Sequence, residues 1–188
     1  MASTPVPNLL YGYDRLNAFT AAQQTQLISI GTEMVASNDP PGLLYPFLAV
    51  QFKGDDDKMW AATNQCLGGS VSSVKVAEHL NRELERCTSG DVRPVSSAAF
   101  SIAMNGSEAR LYISWKHDEL DYYMTYVRGF LLQDPEHFIE FRKHVRSIVD
   151  WGNGRRLKEI RDSLDSLLDE SGERVDVDGT VAWAEQEG

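Results

Sequence analysis

The sequence predicts an α/β (α+β) fold, a central mixed β-sheet flanked by helices, and three observations predict it. Strand-like and helix-like segments alternate through the first half of the chain, a hairpin signal stands in the middle, and two amphipathic helical stretches follow it. With 188 residues, of which 42% are hydrophobic, the chain is long enough to bury one sizeable core.

The elements justify themselves in order. "PNLLYGYD" (7–14) reads as a short strand, and "FTAAQQTQLISIGTEMVAS" (19–37) as a helix opened by a Thr20/Gln23 capping box, with Leu27, Ile30 and Met34 as its apolar stripe. "NDPPG" (38–42) stops it. "YPFLAVQFKGDDDK" (45–58) is an apolar strand ending in Gln51-Phe52-Lys53, whose alternation sends Gln51 and Lys53 to one face and Val50 and Phe52 to the other. In a helical segment from about Trp60 to Arg86, Gly68-Gly69 suggests a break or a close backbone contact. In "SSAAFSIAMNGSEARLYISW" (96–115), Asn105-Gly106 supplies the tight turn of a hairpin, and Trp115 alternates with Leu111 and Ile113 on one face. "DYYMTYV" (121–127) is a further strand. Asp134-Pro135-Glu136 starts a helix as N-cap, proline at N1 and first-turn acid, with Phe138, Phe141, Val145 and Ile148 on one face. "WGNG" (151–154) breaks it before a last helix carrying Leu157, Ile160, Leu164 and Leu167. Tyr11 and Tyr13 are expected to share a face and pack in the core, as are Trp60, Trp115 and Trp151.

Composition excludes several classes of function. No apolar run approaches membrane-spanning length and "MASTPVPNLLYGYDRL" has no leader pattern, so an intracellular protein, cytoplasmic or nuclear and without a membrane partner, is expected. Cys66 and Cys87, and His79, His117, His137 and His144, are dispersed without metal-ligand spacing; the thiols read as packing residues. "LGGS" lacks the spacing and the preceding strand of a nucleotide loop. The net charge of −10 is unevenly placed: from Asp162 onward nine acids face Arg174 alone, which accounts for −8 and leaves −2 for residues 1–161. The expected division is a domain over 1–170 and an acidic C-terminal tail over 171–188. Within 142–161, seven Lys and Arg stand against Asp150 and Glu159, a run that reads either as a solvated helix surface or as a basic patch for nucleic acid.

Four strings carry a resemblance: "PNLLYGYDRLNAF", "GLLYPFLAVQFKGD", "WAATNQCLGGSVSSVKVAEHLN" and "AAFSIAMNGSEARLYISWKHDELDYYM". Together, over nearly all of residues 7–170, the chain resembles a fungal family of domains of unknown function related to PD-(D/E)XK, restriction-endonuclease-like nucleases. The resemblance implies a restriction-endonuclease-like core, metal-dependent phosphodiester hydrolysis with Mg²⁺ or Mn²⁺, and nucleic acid as partner, DNA favoured over RNA. In that family the first string typically reads Pro-Asp-x-x-Tyr-Gly-Tyr and the second ends Glu-Phe-Lys. Here Pro7 matches the proline, Asn8 stands where the first metal-binding Asp is expected, Gln51 where the Glu is expected, and Lys53 matches the lysine.

Both acids have thus become their own amides, which keep the carbonyl oxygen and lose the charge. The pair reads as the remnant of a metal site or its deliberate neutralisation. Mg²⁺ is usually held by one or two carboxylates, so the cofactor is expected to be bound weakly or not at all and the enzyme to be inactive as written. Glu33, Asp14 and Asp55-Asp56-Asp57 are the nearest acids in sequence, and Glu33 is the candidate replacement ligand. Gln65, at the opening of the helix after the strand, is a further candidate catalytic residue where related folds place a polar side chain, with capping or exposure as its other reading. Such folds also place a helix before the first strand, so a truncated chain or a rearranged core is part of the expectation. The alternative from a different class is a module that keeps the fold and recruits a protein, or holds nucleic acid without cutting it.

Overall fold

The computed structural model describes residues 7–32, 37–38, 41–54, 59–86, 93–118 and 121–181, for residues 37–38, 41 and 171–181 the backbone only. Within them the chain runs β1 (Leu9–Asp14), α1 (Arg15–Ala18), α2 (Ala21–Ser29), β2 (Ser37–Asn38), β3 (Pro41–Phe52), α3 (Met59–Glu85), β4 (Ala99–Met104), β5 (Glu108–Lys116), β6 (Tyr122–Leu131), α4 (Pro135–Trp151), a π-helical turn (Gly152–Arg156) and α5 (Leu157–Val181).

The sheet is mixed, as the alternation of strands and helices requires. Its order is β1-β3-β4-β5-β6, with β2 paired to β3. Only β3–β4 is parallel, and α3 is the crossover that a parallel pair needs. α3 lies on the face that presents Ala103 of β4 and Tyr112 of β5, where Met59, Ala62 and Cys66 pack against them. α4 lies on the opposite face, where Phe130 meets Phe141 and where Trp151 stands edge-on to Phe100. The main core joins Leu44, Phe47, Leu48 and Ile102 of the sheet to Leu80 of α3 and to Ile160 and Leu164 of α5.

Local chemistry sets the boundaries. Thr20 and Gln23 exchange both hydrogen bonds of the capping box, at 3.2 and 3.1 Å, and Asp134 accepts from the backbone of Glu136 and His137 with Pro135 at N1. Asn105 closes the β4–β5 hairpin, its Oδ1 accepting from the backbone of Ser107 and Glu108.

Five expectations are corrected. α2 stops at Ser29 because Gly31 takes a φ of +71°, so Ile30 is its C-cap; Met34 lies outside the described residues. α3 passes through Gly68-Gly69 unbroken. "WGNG" does not break the chain either: α4, the π turn and α5 follow without a loop. Tyr13 is buried, but the β1–β3 register slips between Tyr11 and Tyr13 and leaves Tyr11 41% exposed. Trp60, on the outer side of the first turn of α3, is 61% exposed rather than core.

That register slip is held from the far end of the chain. Buried Tyr45 on β3 adopts a φ of +45°, rare for a residue with a side chain, and its carbonyl oxygen accepts from Arg156 Nη1 at 2.9 Å. Arg156 is fully buried. Its guanidinium also reaches the Tyr13 hydroxyl at 3.3 Å and stands 5.7 Å from the ring centres of Tyr13, Phe47 and Trp151. The cation is thus sheltered by three π-faces, and among the described residues it forms no ion pair. Burial pushes the Tyr45 hydroxyl up to about 12, against its hydrogen bond with Thr32 and the nearby Arg156 charge.

Candidate functional site

The β1–β3 pairing brings Asn8 and Gln51 together. Leu9 faces Val50 and Leu10 faces Ala49, and continuing this antiparallel register by one residue sets Asn8 opposite Gln51. Asn8 is exposed at the end of the sheet, and its Oδ1 accepts from the backbone N–H of Phe52 at 2.8 Å. The oxygen that stands in the place of a metal ligand is therefore spent on closing the strand end.

Gln51 is 5% exposed, and its Oε1 is buried and accepts no hydrogen bond. It pairs in register with Ala103, which places it on the face covered by α3, and Cys66 of α3 bonds to its backbone. Burial pushes the Cys66 thiol up to about 11, against its hydrogen bonds with Ser101 and Gln51, which keeps it protonated at neutral pH. Cys87 lies outside the described residues.

Lys53 is half-buried just past the strand, where its backbone N–H donates to Met104 O at 2.9 Å. Its ammonium has no hydrogen-bond or ion-pair partner among the described residues. Gln65 lies on α3. Thr63 on that helix reaches the Tyr112 hydroxyl of β5 at 3.2 Å. The Gln65 Oε1 is also buried without a partner.

Three residues expected from sequence thus stand at one end of the sheet, Asn8 and Gln51 side by side and Lys53 two residues on, while Gln65 lies on the helix that covers this face. Glu33 and the Asp55-Asp56-Asp57 run lie outside the described residues. Asp14 does not join them, because its side chain caps α1 through the backbone of Leu16 and Asn17.

The donor set does not fit Mg²⁺ or Mn²⁺. Of the three amides, Asn8 has committed its oxygen and the other two are neutral, while Lys53 adds a positive charge, so nothing in this set repays the dehydration of a hard dication. Among the described residues no group of three or more His, Cys, Asp or Glu side chains is arranged to hold a metal. What the arrangement offers instead is one cation and several amide groups, a set suited to hydrogen-bonding an anion or a polar ring.

Sequence reasoning missed what lies further along the same row. Gln51 pairs with Ala103, Ala103 with Arg110, and Arg110 with Gly129, which carries the row across β4 and β5 to β6. Arg110 Nη2 bonds both carboxylate oxygens of Glu108, at 3.0 and 3.3 Å. Burial works against the Arg110 charge, but the Glu108 carboxylate and the Tyr112 hydroxyl outweigh it and raise its pKa. Tyr112 and Tyr126 stand edge to face with ring centres 5.9 Å apart. The alternation of Arg110 and Tyr112 on one strand was the available signal, hidden because hairpin residues read first as packing.

Three of the seven bases of the run over 142–161 are paired with acids. Arg146 pairs with Asp150, Arg155 with Glu159 and Lys158 with Asp162, each one helical turn apart, and Arg156 is buried. No described helix is long and apolar enough to cross a membrane.

A family model described as a domain of unknown function, DUF7924, matches residues 1–164, and the chain belongs to that family. No curated protein and no solved structure matches.

Proposed function

We propose that this member of the DUF7924 family is a nuclease-like domain of the PD-(D/E)XK kind whose cutting site is chemically silent, and that it binds nucleic acid, DNA before RNA, without hydrolysing it. The observation that carries the reading is the juxtaposition of Asn8 and Gln51 across β1–β3 with Lys53 beside them. A strand end bearing two side chains of carboxylate shape and a lysine is the layout that metal-dependent phosphodiester hydrolysis uses, with the ion activating water and the lysine stabilising charge. Amides in place of both acids remove the ion. They also remove the charge that would repel a phosphodiester, so Lys53 can meet a phosphate directly. An intracellular location, cytoplasmic or nuclear, goes with this reading.

The test restores the acids. Asn8→Asp and Gln51→Glu together should bring back two negative ligands on one ion, with each single change doing much less because the pair acts as a unit. Cleavage of single-stranded DNA, duplex DNA and RNA is followed with Mg²⁺, Mn²⁺ or chelator. Cutting that needs the double change and the metal, and disappears with Lys53→Ala, is the expected result. A folded double variant that neither binds metal by calorimetry nor cuts any substrate would overturn the nuclease ancestry and leave a protein-recruiting module as the reading.

A further inference from the structure

We propose that the concavity on β5–β6, beside the amide row, holds one unpaired nucleobase of a single-stranded nucleic acid; the inference rests on the nucleic-acid-binding reading above. The concavity has a volume of about 440 Å³ and is lined by Glu108, Arg110, Tyr112, Tyr126, Gly129 and Leu131, among others. That falls within the size range of small-ligand sites, ~300–1,000 Å³. Its floor is aromatic. Tyr126 is 57% exposed, a large apolar ring on a sheet face with nothing packed over it among the described residues. It is held rather than loose, since Tyr112 meets it edge to face at 5.9 Å and its hydroxyl folds over Gly129. A Cβ on Gly129 would lie 2.6 Å from that hydroxyl, so a side chain there would push the ring aside from this position.

The polar wall selects the ligand. Arg110 and Glu108 form a pair with no net charge, which makes a poor phosphate site but sets N–H donors beside carboxylate acceptors. A nucleobase edge presents the complementary pattern, adjacent acceptors and donors in one plane, and guanine with O6, N7 and its ring N–H is the closest match. The tyrosine face supplies stacking, which tolerates any base. Position supplies the rest: Arg110 is two strands from Gln51 in the same cross-strand row, about 10 Å at sheet spacing. Tyr126 lies one strand further, on β6, and toward the row of Tyr112, so a strand whose phosphate rests at Lys53 reaches it with a base a few nucleotides along. A base inside a duplex has both faces stacked and cannot make this contact, which is why the ligand is single-stranded.

The experiment measures anisotropy of labelled DNA and RNA homopolymers of about nine nucleotides, of a blunt duplex, and of an abasic strand, with the full chain. Single strands should bind more tightly than duplex, with guanine ahead. Tyr126→Ala should weaken single-strand binding on the order of tenfold, Tyr126→Phe much less, and the melting temperature should stay unchanged. Arg110→Gln should flatten the preference among bases. Against the abasic strand, Tyr126→Ala should lose its effect, because base and ring form one contact. Equal affinity of wild type and Tyr126→Ala for a base-bearing strand, or an equal loss on the abasic strand, overturns the inference while nucleic-acid binding stands. Displacement of the strand by a free nucleoside monophosphate at similar concentration would assign the concavity to a mononucleotide and overturn the strand. Absence of any nucleic-acid binding defeats both readings, and binding of an acidic peptide there instead points to the protein-recruiting module.

Discussion

Gly152→Ala and Gly154→Ala, two identical changes in one π-helical turn, should move stability in opposite directions. A methyl group on Gly152 would sit 2.3 Å from Phe47 Cε2 and Cζ and 2.8 Å from Cε1. Carbon atoms in contact stand ~3.5–4.0 Å apart, so the ring would have to retreat by more than about 1 Å. It has nowhere to go, because Tyr13 lies at 5.5 Å, Trp151 at 6.1 Å and the Arg156 guanidinium at 5.7 Å from its centre. Overpacking of this kind costs ~1–3 kcal/mol, against a helical gain of Ala over Gly of no more than ~1 kcal/mol. The net loss is about 1 kcal/mol, or a fall in melting temperature of about 2–4 °C for a chain of this size. At Gly154 nothing lies within 4 Å of the added carbon, so only the helical gain remains and the change should stabilise by up to ~1 kcal/mol. Urea unfolding of both variants, and of Gly152→Ala combined with Phe47→Leu, measures this. The smaller ring should recover ~1 kcal/mol or more relative to additivity. Equal stabilities for Gly152→Ala and Gly154→Ala would refute the claim that the ring fills this space.

Two further outcomes follow from buried and capping hydrogen bonds. Asn81 binds both backbone groups of Val95, accepting at 2.8 Å and donating at 3.0 Å, and is buried. Asn81→Ala leaves a donor and an acceptor unpaired and should cost about 2–4 kcal/mol in urea unfolding; an unchanged midpoint would mean that water replaces it. The backbone N–H groups of His137 and Glu136 hold the Asp134 carboxyl below the ordinary aspartate value. Its stabilisation of α4 is complete above the unfolded-state pKa, ~3.9, and lost as pH falls through the lower folded-state value. Asp134→Asn keeps the cap without this titration, so its melting temperature should fall less steeply below about pH 4 than that of the unsubstituted chain.

What the sequence made legible was local. A capping box, a proline at N1 and an Asn-Gly turn act within a few residues, and each stands where the pattern puts it. The Asn8, Gln51 and Lys53 group was legible only through resemblance, since Asn8 meets the strand end at Phe52, 44 residues on, by pairing that no local pattern encodes. Gly68-Gly69 and "WGNG" misled for one reason: glycine weakens a helix by ~1 kcal/mol, and packing overrides so small a preference. Gly152 is in the helix because Phe47 needs the space. Arg156 was counted among a surface run, and only the three-dimensional fold shows it inside an aromatic box. The Tyr126–Arg110 concavity was illegible because it depends on which strand faces which.

The Arg156 contacts with Tyr13 and Tyr45 also fix an order of events during synthesis. Tyr13 leaves the ribosome 143 residues before the guanidinium that completes its environment, and Ala18 and Gln23 likewise wait for Arg161 and Asp165. Contacts so distant in sequence close last, while the β4–β5–β6 meander and α3 can form from neighbours. The segment around Asn8 is therefore among the first made, and it can pair with β3 long before the Arg156 clamp behind that pairing becomes available. A chain arrested before residue 156 would hold every residue of the amide row and lack the clamp that sets the β1–β3 register behind it.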